Sequence, residues 1–122
     1  MTKQKEHTTE ETLVYEMKLR VVRGISTSYY SYTGNLITEE IHIGIYKSPE
    51  TALEGLKKYL GAIRDETLLE QVSGIEKPGK LTTNVEKPLH TRTSQTDERT
   101  DHGIRTNTTI QTVIITQRRL FD

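Results

Sequence analysis

At 122 residues the chain has room for one ordinary domain, with a core that needs neither disulfides nor a structural metal. Only 32% of the residues are apolar, with no Trp and one Phe. The core is therefore expected to be thin, built from aliphatics and tyrosines, and open to completion by self-association. Seventeen basic and 17 acidic residues cancel, which removes any overall attraction to nucleic acid or an anionic membrane and requires an anion site to be local.

The absence of Cys excludes thiolate catalysis and thiolate metal sites and fits a reducing compartment. No apolar run reaches the roughly 18 residues a membrane helix needs, and MTKQKEHTTEET lacks the apolar core of a signal peptide. These features predict a cytoplasmic protein with no membrane partner: residues 1–11 a polar arm, and 12–122 one α+β domain with a C-terminal β extension over 80–122.

In TLVYEMKLRVVRG, Leu13, Tyr15, Met17, Leu19 and Val21 alternate with Glu16, Lys18 and Arg20, the pattern of a half-buried antiparallel strand. SYYSYTGN suits a second strand ending at a Gly34-Asn35 turn. LITEEIHIGIY alternates again, with Ile37, Ile41, Ile43 and Ile45 on one face and Thr38, Glu40 and His42 on the other, so a three-stranded meander is expected. Ser48 and Pro49 then signal a helix start. Ala52, Leu53, Leu56, Tyr59 and Leu60 recur at helical spacing and should face the sheet. Gly61 leaves one helix or two open, with Asp65 as the cap of DETLLEQV and Ser73-Gly74 as its end. LTTNVE reads as a short strand with Leu81, Thr83 and Val85 on one side, limited by Pro88. TTIQTVIIT, apolar on both faces, reads as a strand covered on both sides. The antiparallel sheet is thus expected to be a meander, then one or two helices packed on it, then a C-terminal β-hairpin or arm.

Five of the six basic residues after position 80 are arginine: Arg92, Arg99, Arg105, Arg118 and Arg119. Residues 1–80 hold eight lysines and three arginines. Arginine presents a planar fork matched to phosphate or carboxylate, so these residues either pair with Asp97, Glu98 and Asp101 or bind a phosphate-bearing ligand. Tyr29, Tyr30 and Tyr32 either stack on a nucleobase or cover the edge of the core. Asp97, Glu98, Asp101 and His102 read as a solvated charged turn rather than a metal site. None of the HExxH, GxSxG, Walker or GxGxxG patterns occurs, which points to a non-enzymatic protein without a cofactor.

EIHIGIYKSPETALEGLKKYL resembles the strand-turn-helix of AP2-like and integrase amino-terminal DNA-binding domains, through Gly44, Tyr46, Ser48, Glu50, Ala52 and Leu53. That resemblance implies DNA binding on the sheet by Lys18, Arg20, Arg23 and Tyr29. In length, element order and late arginines the whole chain also resembles small phage anti-defence proteins, most nearly the Thoeris anti-defence sponges. This second resemblance implies a homo-oligomer of phage or mobile-element origin, working in the host cytoplasm. It would trap a phosphorylated nucleotide signal, with the late arginines on the phosphates and Tyr29, Tyr30 and Asn107 on the base. Net neutrality favours the sponge reading over duplex DNA. An inhibitor of a host protein is the third possibility. The polar segment 89–107 is either a linker or an arm tipped by Asp97–Gly103.

Overall fold

The computed structural model describes residues 12–27, 36–101 and 103–120. The polar arm expected over residues 1–11 and the strand expected in SYYSYTGN, with Tyr29 and Tyr30, lie outside the described residues. Among the described residues, four strands form one antiparallel sheet with two helices. In chain order these are β1 (Thr12–Thr27), β2 (Ile37–Tyr46), α1 (Pro49–Ala62), α2 (Glu66–Val72), β3 (Glu86–Thr100) and β4 (Gly103–Leu120). The sheet order is β2-β1-β4-β3.

Helix α1 starts where the sequence signals it. The Ser48 hydroxyl accepts from the Thr51 amide at 3.1 Å, and Pro49 opens the first turn, where no donor is needed. Gly61 lies inside this helix. The chain breaks after Ala62, with Arg64 at φ 61°, and restarts on Asp65, whose carboxylate accepts from the Leu68 amide at 3.2 Å. Ala52, Leu53, Leu56 and Leu60 of α1 are buried with Leu68 and Val72 of α2. They pack on Met17, Leu19 and Val21 of β1 and on Val113 and Ile115 of β4. Beyond Val21 the β1–β4 pairing continues to Thr27 opposite Arg105, so the distal third of the sheet projects past the helices.

Two expectations about strands are corrected. The residues of LTTNVE before Glu86 are not a strand: a turn occupies Thr83-Asn84, Asn84 has φ 66°, and β3 begins at Glu86. Pro88 does not end that strand, because β3 is a sheet edge and its register with β4 slips between Pro88 and His90, where a missing amide costs little. The four isoleucines of β2 do not share a face either. Met17 pairs with Gly44 but Lys18 pairs with His42, leaving Ile43 as an extra residue. This bulge reverses the alternation: Ile41 and Ile43 pack on the core, Tyr46 turns inward, and Ile45 is left 61% exposed. Ile37, opposite Arg23 and beyond the helices, is 57% exposed.

The inward Tyr46 explains two glycines. A Cβ on Gly44 would lie 2.6 Å from its hydroxyl, and one on Gly55 of α1 would collide with its ring. The phenol is held between strand and helix. Gly61, by contrast, has open space around it. In urea unfolding, Gly55→Ala is expected to cost about 1–3 kcal/mol through displacement of the ring. Gly61→Ala should stabilise the protein by about 0.5–1 kcal/mol, because only helix propensity changes.

Candidate functional site

The sheet face away from the helices is roofed by charge. Lys18 Nζ lies 2.6 Å from Glu86 and 3.2 Å from Glu40, and Arg20 Nε donates to Glu40 at 2.7 Å while its Nη2 donates to Glu86 at 3.0 Å. These four side chains tie β2 and β1 to β3 across β4. Ile114 beneath them is only 2% exposed although neither α1 nor α2 lies on this face. Hydrogen bonding to Glu86 holds the Lys18 ammonium above its usual pKa against the effect of burial. The Lys18 and Arg20 donors in turn hold Glu86 and Glu40 below the usual carboxylate range. Beside this lattice, Glu16 accepts from Arg118 Nε at 2.9 Å and lies 3.2 Å from His42 Nδ1. The cations that the AP2-like resemblance assigns to DNA are thus already neutralised: Lys18 and Arg20 in the lattice, and Arg23 by Glu39 at 2.8 Å.

The late arginines do not converge. Arg92, Arg105, Arg119 and Asn107 sit at positions of the helix-side face, Arg99 and Arg118 at positions of the opposite one. Along β4, Arg105 and Arg119 are separated by roughly 45 Å at the strand rise, too far for one nucleotide. Arg92 forks onto Asp65 at 3.1 and 2.9 Å and also donates to Gln111. Arg105 pairs with Glu98 at 2.8 Å. Around the end of the β3–β4 pair, Asp97, Glu98 and Asp101 outnumber Arg99 and Arg105, so an anion gains nothing there. Asn107 lies between Ile25 and Thr96 in the middle of the sheet.

What the fold does assemble is an open groove of about 970 Å³ between α1 and the β2 edge. Tyr46, Gly55, Tyr59 and Leu69 line its apolar part, and Glu54 and Lys58 its rim. Helical spacing explains the arrangement, since residues 54 and 58, and 55 and 59, are each one turn apart. The Glu54 carboxylate, the Lys58 ammonium and the two phenol hydroxyls make no hydrogen bond or ion pair with another described residue. The neighbouring Lys57 ammonium donates to the Ile75 carbonyl at 3.2 Å, which adds positive charge at the rim. A concave apolar surface with a few unengaged polar groups is the usual form of a small-molecule site.

The sequence singles out Tyr59 and Ile43 as core-face positions and Tyr46 within the AP2-like resemblance, but reads no groove residue as a ligand-binding one. The available signal was Gly55, a glycine in the middle of an otherwise strong helix, where it weakens the helix unless something packs against it. Compared with protein-family models, curated proteins and solved structures, the chain shows no match.

Arg92 is an anchor between α2 and β3, and its bonding holds the Asp65 carboxyl below its ordinary value of 3.8. A depressed carboxyl stabilises the fold above its unfolded pKa, and that stabilisation disappears as pH falls through the lower folded value. Arg92→Ala is therefore expected to lose about 1–2 kcal/mol at pH 7 in urea unfolding. The difference from wild type should hold at pH 5 and shrink below about pH 4, as the carboxyl takes up its proton.

Proposed function

We propose that this chain is a non-enzymatic, homo-oligomeric binding protein that sequesters a phosphate-bearing nucleotide, in the manner of the phage anti-defence sponges it resembles. The groove between α1 and β2 is the ligand site. One observation carries the reading: Glu54, Lys58 and Tyr59 stand in an apolar trough without a bond to another described residue, whereas Arg92, Arg105 and Arg118, along with Lys18, Arg20 and Arg23, are paired with carboxylates of their own chain. Tyr59 offers an aromatic face to a base. Lys58, with Lys57 beside it, offers positive charge to a phosphate, and Glu54 can accept from ribose hydroxyls or an exocyclic amine.

The groove residues carry one carboxylate against two ammonium groups, the local anion preference that a neutral chain needs. Glu54 has neither a His nor a second acid beside it among the described lining residues, which favours binding over acid/base chemistry. The oligomeric part of the reading draws on the sheet that projects past the helices, with residues 86–120 serving as an arm toward another copy. Duplex DNA on the opposite sheet face is the weaker reading, because binding there would break the Lys18–Arg20–Glu40–Glu86 lattice.

Isothermal calorimetry with AMP and cyclic ADP-ribose tests the site. Binding of at least one of them is expected, weakened tenfold or more (about 1.4 kcal/mol) by Lys58→Glu and by Tyr59→Ala, and unchanged by Arg99→Ala. Binding that survives Lys58→Glu but is lost in Arg99→Ala would move the site to the arm.

A further inference from the structure

The two outer strands of the sheet differ in how they guard their free backbone. β2 carries the bulge at Ile43 and the polar run Glu39, Glu40 and His42. β3 is guarded at its start by Pro88 and the register slip there, and at its end by Asp97, Glu98 and Arg99. Between these lies TRTSQT, residues 91–96, without proline, lysine or bulge. Its one charge, Arg92, is turned to the helix side and held by Asp65. No described strand lies outside it. Natural proteins seldom leave six such edge residues unpaired.

We infer that β3 pairs antiparallel with β3 of a second copy of this chain, joining two four-stranded sheets into one of eight. The inference rests on the homo-oligomeric part of the proposed function and adds the edge and the register.

Symmetry limits the registers. A two-fold axis perpendicular to the sheet keeps the helices of both copies on one side, so each residue faces a residue of its own parity and one residue faces itself. Centring on Asp97 would oppose that carboxylate to its own copy. Centring on Ser94 sets Arg92 against Thr96. Centring on Gln95 sets Arg92 against Glu98 of the second copy, twice by symmetry, with Thr93 against Asp97, Thr91 against Arg99 and Ser94 against Thr96. Arg92 and Glu98 both lie at helix-side positions, opposite Gln111 and Arg105. The junction then holds an alternating row: Asp65 and Arg92 of one copy, Glu98 and Arg105 of the other. The two intrachain pairs that flank it already exist, Arg92–Asp65 at 2.9 Å and Arg105–Glu98 at 2.8 Å. The matched charges identify the occupant as a second copy.

The chain has no cysteine, so engineered thiols report cleanly. In this register Gln95→Cys places two thiols directly opposite each other, within disulfide reach. Thr93→Cys sets its thiols four residues apart along the strands, roughly 13 Å. Sedimentation equilibrium should give twice the chain mass of 14.0 kDa. Mild oxidation should cross-link Gln95→Cys at least tenfold faster than Thr93→Cys, and Glu98→Lys should weaken the dimer tenfold or more. A dimer that cross-links equally at both positions, or at neither, overturns this edge and register while leaving the oligomeric reading intact. A monomer at 100-fold the working concentration overturns both, and nucleotide binding measured on that monomer would show whether the groove reading stands alone.

Discussion

Strand β4 is paired with β1 over residues 105–120 and with β3 over residues 103–116, and Val113, Ile114, Ile115 and Thr116 are buried in succession. A strand covered on one face only would bury every second residue. Here Val113 and Ile115 receive α1 and α2, while Ile114 and Thr116 lie under side chains that reach over from the neighbouring strands. With so little apolar material in the chain, the second cover is made from charged stems and heads rather than from another layer. Long Lys and Arg side chains can do this because their methylene stems pack while their charges remain paired.

That solution shapes where binding can occur. Lys18 and Arg20, placed over β4, are held by Glu40 and Glu86, and Arg92, Arg105 and Arg118 of β3 and β4 by Asp65, Glu98 and Glu16. A ligand drawn to any of them would first have to break an existing pair. The groove beside α1 differs because the bulge in β2 turns Tyr46 inward and Gly55 admits its ring, opening a trough in which Glu54 and Lys58 have no ion pair with another described residue. Local structure, rather than the number of arginines, sets the location of the proposed site.

Much of the architecture was legible because its causes are local. Alternation over Leu13–Val21 marks β1, Ser48-Pro49 and Asp65 mark both helix starts, and two-sided apolarity in TTIQTVIIT marks the covered part of β4. The failures have equally specific causes. A one-residue bulge among Ile41, Ile43 and Ile45 leaves no trace in composition, since every candidate for the extra residue is similar. Thr and Val in LTTNVE favour a strand, but Asn84 tolerates positive φ and makes a turn there. Of the late arginines, only Arg105 meets one of the nearby carboxylates that the sequence offers, Glu98, whereas the partners of two others are distant in sequence: Arg92 meets Asp65 and Arg118 meets Glu16 only after the sheet forms. The groove was hidden for the same reason, since Tyr46 and Tyr59 come from a strand and a helix.

The claim that binding belongs to the groove rather than to the arginines is tested most directly by a ¹H–¹⁵N NMR titration of the full chain with AMP. Amide shift changes are expected to concentrate at residues 43–46 and 51–62, with residues 92–107 and 118–119 unmoved. Shifts concentrated at 97–107, or none at millimolar AMP, would contradict it.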